Sequence, residues 1–281
     1  MTGFQIVPAD RLEPAALHGA MAAAFSDYLL GPFLTPLGQW SQFLSRQSID
    51  LAASRVALDG SDIAAFQFVA RRTDIPYWRL STMGSPPHRR GSGGARELLD
   101  DFIHRAREAG MTGVELECFA QNERALRLYR SRGFEAMSEL RGYARDPQAR
   151  VAMPHSDVAT VTLDEAFALI DRVARSRGDL PVQVTPVSLR AGLAPLHALR
   201  SGEAVLAYSE SVPGTIGVQA IVDPDPSLRN AEALAAHVSA LFPAHRIAAS
   251  QVQRPDIGGD ALERQGFERL PLHQLLMRRQ F

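Results

Sequence analysis

The chain has 281 residues with 46% hydrophobic and 22% charged, a globular composition with room for one large or two ordinary domains. A formal net charge of −1 excludes any general attraction to nucleic acid or acidic membranes, although all thirty basic residues are arginine. The single cysteine, Cys118, excludes an internal disulfide and a cysteine-based zinc site, and no metal is expected.

No run of eighteen apolar residues is present, and Asp10, Arg11 and Glu13 break any basic-then-apolar leader pattern, so the expected location is the cytoplasm. In chain order, residues 4–7 predict a short strand closed by Pro8, and 13–25 an alanine-rich helix. Residues 25–34 are aromatic and interrupted by Gly31-Pro32, a loop pattern, and 37–46 predict a short helix carrying Trp40 and Phe43. Phe25, Tyr28, Phe33, Trp40 and Phe43 suit either an aromatic site wall or plain core; Asp27 suits a cationic amine or a loop cap. Residues 55–58 and 63–70 predict strands joined at Asp59-Gly60, a hairpin signal, with a third strand over 77–83.

That third strand runs through Met83-Gly84-Ser85 into a turn holding Pro86, Pro87, Arg89, Arg90, Gly91, Gly93 and Gly94. An amphipathic helix follows at once, with Leu98, Leu99, Phe102, Ile103 and Ala106 on one stripe and Gly110 at its close. Glycines at such a junction turn backbone N–H groups outward, and the helix N-terminus adds partial positive charge, so the pattern predicts an anion site for a pyrophosphate. A Walker loop needs a lysine, and the chain has none; a dinucleotide fingerprint counted from Gly91 needs glycine where Arg96 stands. Residues 113–119 then alternate as a strand, before Asn122-Glu123-Arg124-Ala125-Leu126-Arg127-Leu128-Tyr129-Arg130-Ser131-Arg132-Gly133-Phe134.

Arg90-Gly91-Ser92-Gly93-Gly94-Ala95 resembles the Arg/Gln-x-x-Gly-x-Gly/Ala loop of the Gcn5-related N-acetyltransferases (GNAT), and Asn122 to Phe134 resembles their Asn-x-x-Ala-x-x-Leu-Tyr-x-x-x-Gly-Phe signature. Both motifs occur in the family's order and spacing, and the resemblance covers roughly residues 4–145. It implies an α/β GNAT fold: a mixed, mostly antiparallel sheet flanked by helices, its last strand of this unit at 140–145. It also implies an acetyl-CoA-dependent transfer to a primary amine of a small molecule or peptide. The backbone of Gly91, Ser92, Gly93, Gly94 and Ala95, with Arg90, would hold the pyrophosphate; Met83, Gly84 and Ser85 would bond the pantetheine arm, and an N–H near Met83 would meet the thioester oxygen. Asn122 would bond near the pantetheine or simply cap its own helix. Tyr129 matches the family's general acid, and a phenol near pKa ~10 is a sensible donor to a thiolate. The strand at 77–83 offers no carboxylate, so Glu117 is the candidate base, with a surface role as its alternative. Cys118 points to the opposite strand face, into the core.

Periodicity is lost from 146 to 154, which places a domain boundary at 147/148. Beyond it, a Thr162-x-x-Glu165 capping pattern opens a helix over 162–177, strands are predicted at 204–208 and 216–222, a helix at 231–241, a strand at 246–252 and a last strand at 272–277. Aligning Gly266-Phe267 on Gly133-Phe134 lines these elements up with the first half, a tandem repeat. Leu262 then stands for Tyr129 and Pro255 for Asn122, and Asp223 and Asp225 occupy the place of the glycine loop, where they would repel a pyrophosphate. Residues 148–281 are therefore expected to be a degenerate GNAT-like domain serving packing, acceptor shaping or dimer contacts, a homodimer being an open option. The competing reading of the whole is a non-catalytic acyl-CoA-binding or regulatory protein, or an interaction module; neither involves nucleic acid or a membrane.

Overall fold

The computed structural model describes residues 3–147, 157–192 and 194–281, and these form two compact units. The first takes the chain up to Cys118, then Asn122–Ala136, then Met277–Phe281; the second takes Phe119–Gln121 and Met137–Leu276. Among the described residues no helix is long and apolar enough to cross a membrane.

The first unit runs β1 (Gln5–Pro8), α1 (Pro14–Ala24), α2 (Trp40–Arg46), β2 (Ile49–Asp59), β3 (Asp62–Arg71), β4 (Tyr77–Gly84), α3 (Gly94–Glu108), β5 (Gly113–Phe119) and α4 (Glu123–Arg130). This is the expected element order. β1 to β4 pair antiparallel in sequence order, and β5 joins β4 in parallel. Strand alternation sorts the core. Phe66 and Phe68 of β3 face Leu17, Met21 and Trp40, while Ala57 and Ala65 meet Leu98 of α3 on the other face.

One more strand completes this sheet, and it comes from the far end of the sequence: residues 277–281 lie in this unit, next to β5. Gly113 is required there, since a Cβ would collide with the carbonyl oxygen of Arg279 and with the Tyr77 ring. Arg278 reaches Glu115 with Nε at 3.0 Å and a terminal nitrogen at 2.8 Å, and Arg72 bonds the other oxygen of that fully buried carboxylate at 2.7 Å. Arg72 in turn grips Asp74. Every charge in this cluster is matched, which is the condition for burying it at all.

The second unit holds most of β6 (Glu135–Arg145), then β7 (Ala159–Val161), α5 (Leu163–Arg177), α6 (Pro186–Leu189), β8 (His197–Ser201), β9 (Ala204–Val212), β10 (Thr215–Val222), α7 (Arg229–Leu241), β11 (Arg246–Gln253), α8 (Gly259–Arg264), β12 (Glu268–Arg269) and the start of β13 (Gln274–Gln280). Its sheet order is β7-β8-β9-β10-β11-β6, with β10 and β11 parallel. α5 opens on the predicted capping box, Thr162 and Glu165 each bonding the other's backbone N–H.

Residues 140–145 do not close the first unit as the sequence suggested. They pair antiparallel with β11, Arg145 opposite Ile247 and Tyr143 opposite Ala249, and the Tyr143 ring is fully buried with Ile247, Ala249 and Phe267. The spatial division therefore differs from a cut at 147/148 at both exchanged strands; the aperiodic stretch at 148–154 lies outside the described residues.

Candidate active site

β4 and β5 stay in register only from Tyr77↔Gly113 to Leu80↔Leu116. Beyond that point Ser81 is an extra residue against β3, after which Thr82, Met83 and Gly84 follow β3 opposite Phe68, Gln67 and Phe66. The bulge carries β4 off with β3 and opens the sheet. A cavity of about 470 Å³ opens beside this stretch, lined by Met83, Gly84, Ser85, Arg90, Gly91, Ser92, Gly93, Ala95, Asn122 and Tyr129 among others. Ten of the twelve site residues expected from sequence thus meet in one place.

The other two do not line it. Gly94 is buried at the first turn of α3, where a Cβ would touch Ala65 and Phe4. The Glu117 carboxylate is instead held by Arg79 at 3.0 and 2.8 Å from Nε and 2.7 Å from a terminal nitrogen, and both side chains are almost wholly buried. This carboxylate is bonded on both oxygens by a guanidinium and is not among the cavity-lining residues, which argues against its taking a proton there. Among the described lining residues the one carboxylate is Asp27.

The loop has the backbone that its glycines permit. Gly91 and Gly93 sit at φ of 86° and 103°, the left-handed region that side chains disfavour, and Gly93 caps α3. The first N–H groups of α3 have no partner within the helix and converge with its dipole on the cavity. Gly84 is needed for a different reason: a Cβ would come within 2.9 Å of Ala24 and 3.1 Å of Phe66. Arg90 donates to both oxygens of Asp27, at 2.6 and 2.5 Å, and to the Ala24 carbonyl at 3.0 Å. Arg96 and Arg124 also line the cavity, in the first turns of α3 and α4. Sequence reading passed over both. Their signal was available, because a cation in a helix's first turn opposes the macrodipole unless an anion is nearby.

Tyr129 is 8% exposed and packs edge-on against Phe134, centroids 5.9 Å apart. Burial pushes its phenol well above the ordinary tyrosine range, with Cys118 and Tyr28 close by adding to the shift. Burial also lifts Tyr28 and Cys118, each to about 12. All three groups therefore stay protonated and uncharged at neutral pH. Asn122 caps α4 by accepting from the Ala125 N–H at 3.2 Å while also lining the cavity. The aromatic cluster divides: Phe25 and Tyr28 line the cavity, whereas Trp40 stacks on Phe43 at 5.3 Å and both pack into the core with Phe33.

The second unit closes the same two features with its own atoms. Where β10 and β11 leave register after Val218↔Ala249, the buried Gln253 side chain accepts from the Ile221 N–H and donates to the Gln219 carbonyl, each at 3.2 Å. At the N-terminus of α7 the buried Asp223 carboxylate accepts from the Ala231 and Asp225 N–H groups, both at 2.9 Å. The anion position is taken by the chain's own carboxylate.

Residues 39–134 match the sequence profile of the acetyltransferase (GNAT) family. The whole chain resembles solved structures of low identity: a GCN5-related N-acetyltransferase from Kribbella flavida (16% identity, 99% of this chain and 71% of that one, TM-score 0.61). Another is a GCN5-related N-acetyltransferase from Sphaerobacter thermophilus (14%, 99% and 95%, TM-score 0.62). A third is a tandem GNAT protein from the clavulanic acid biosynthesis pathway (14%, 99% and 98%, TM-score 0.64). No curated protein matches the chain. The fold is thus that of GNAT proteins over the full length, tandem ones included.

Proposed function

We propose that the first unit transfers an acetyl group from acetyl-CoA directly to a primary amine of a small molecule or peptide, with Tyr129 as general acid, and that the second unit is a degenerate GNAT-like domain without a cofactor site. The observation that carries this is the single cavity joining the left-handed glycine loop, the open edge of β4 and the buried Tyr129 phenol. Arg90, Gly91, Ser92, Gly93 and Ala95 would hold the diphosphate with backbone N–H groups and charge, reinforced by Arg96 and Arg124. Met83, Gly84 and Ser85 present backbone groups to the pantetheine arm and thioester oxygen.

In the transfer the amine nitrogen bonds to the thioester carbon, the carbon–sulfur bond breaks, the nitrogen loses one proton and the sulfur gains one. Tyr129 is protonated at any working pH and so can give that proton. Burial makes a tyrosinate costly, so its proton must be replaced in the same event, and the proton leaving the nitrogen is the nearest source. This requires no carboxylate base, in keeping with Glu117 being held by Arg79.

The same withdrawal of Glu117 favours the second reading, a non-catalytic acyl-CoA-binding protein. Calorimetry with acetyl-CoA on the intact protein and on Gly93→Asp, which adds both charge and strain at φ 103°, tests the binding that both readings share. Binding lost in the variant is expected; no binding to the intact protein refutes both. Release of CoA thiol against an amine library then separates them, with Tyr129→Phe as control.

A further inference from the structure

We propose that Asp27 anchors a second cationic group of the acceptor, so that the amine acetylated belongs to a diamine-like class; this rests on the acetyl-CoA reading above. Asp27 is the one carboxylate among the described cavity-lining residues, and Phe25 and Tyr28 beside it in sequence line the same cavity. Their rings meet edge to face, centroids 4.8 Å apart and 75° between planes. A carboxylate that shares one cavity with two aromatic rings is a fitting seat for an ammonium, which draws on both ionic and cation–π attraction.

That seat is taken in this structure by Arg90, which spends both arms on Asp27. The pair is open to exchange, with 54% of the Asp27 side chain and 29% of the Arg90 side chain exposed. Arg90 belongs to the loop that faces the diphosphate, a stronger and bidentate acceptor than one exposed carboxylate. A guanidinium drawn to the diphosphate leaves Asp27 uncompensated, and the cavity then carries the negative charge of both. An amine that attacks a thioester must be neutral, so it is not the group that pairs with Asp27. The group that pairs must remain charged through the reaction. A substrate satisfying both demands carries two basic nitrogens, one acetylated and one held.

The test uses calorimetry on the full chain. Acetyl-CoA is expected to bind Asp27→Asn at least threefold more tightly than wild type, because Arg90 is no longer shared. The probe 1,4-diaminobutane is expected to bind CoA-loaded wild type at least tenfold more tightly than the unloaded protein, and to lose that gain in CoA-loaded Asp27→Asn. 1-Aminobutane should gain nothing on loading. The opposite signs for the two ligands cannot come from a merely structural role, and Asp27 is exposed enough for the variant to fold. Unchanged or weaker acetyl-CoA affinity in Asp27→Asn, or diamine binding that ignores CoA or survives the substitution, overturns the proposal while leaving the acetyl-CoA reading intact. Failure of acetyl-CoA to bind wild type would remove both.

Discussion

Glu117→Gln separates a base from a structural partner. In the structure the carboxylate receives three close contacts from Arg79, at 3.0, 2.8 and 2.7 Å, and the two side chains are 3% and 2% exposed. Glutamine keeps the size and one acceptor oxygen but removes the charge, so a guanidinium shut away from water is left uncompensated. Removing one partner of such a pair costs about 3–5 kcal/mol. At about 2–4 °C per kcal/mol for a unit of this size, the melting midpoint should fall by about 6–20 °C. Scanning fluorimetry reads that shift, and a thiol-release assay run well below the new midpoint reads the chemistry. We expect a large loss of stability with kcat changed less than about tenfold, since a base would be worth about 10²–10⁴. An unchanged midpoint together with a 10²-fold or greater fall in kcat would refute the structural reading and restore Glu117 as base.

Tyr129→Phe should lower kcat by about 10²–10⁴-fold while leaving acetyl-CoA affinity within about twofold, measured by thiol release and calorimetry. Because burial raises the Tyr129 phenol above its usual 10.0, the wild-type pH–rate profile should show no descending limb from it below pH 10; its rising limb should track the pKa of whichever amine is supplied. A rising limb fixed near a carboxylate value for all amines would contradict this. Gln253→Ala should destabilise the second unit by about 1–3 kcal/mol, since the Ile221 N–H and Gln219 carbonyl lose their partner, and should leave acetyl-CoA binding to the first unit intact by calorimetry.

What was legible in the sequence is what is local. The loop from Arg90 to Ala95 and the helix from Asn122 to Tyr129 each hold their motif within a few residues, and the structure brings both to one cavity. Element order followed from periodicity, with β8 the main omission: His197–Ser201 is too short and too mixed to show alternation. What sequence could not show depends on partners distant in the chain. Glu117 looks like a free strand carboxylate until Arg79 is found against it, and Asp27 looks like a loop residue until Arg90 is. Residues 140–145 read as a strand, but nothing local said that their partner would be β11. Pattern gives a strand its faces and leaves its neighbour open.

The crossing of strands between the two units has a consequence for how the chain can be made and dissected. The unit that carries the glycine loop is not complete until residues 277–281 have been synthesised, so it must wait for the whole second unit to pass before its sheet can close. Until then Glu115 lacks Arg278, and Gly113 faces open solvent where a backbone should lie. A fragment cut after residue 147 would be left in that unfinished state permanently. The second unit then has a reason to be retained that needs no ligand at all: it delivers the segment that finishes its neighbour, and neither part of the chain could be lost or exchanged alone.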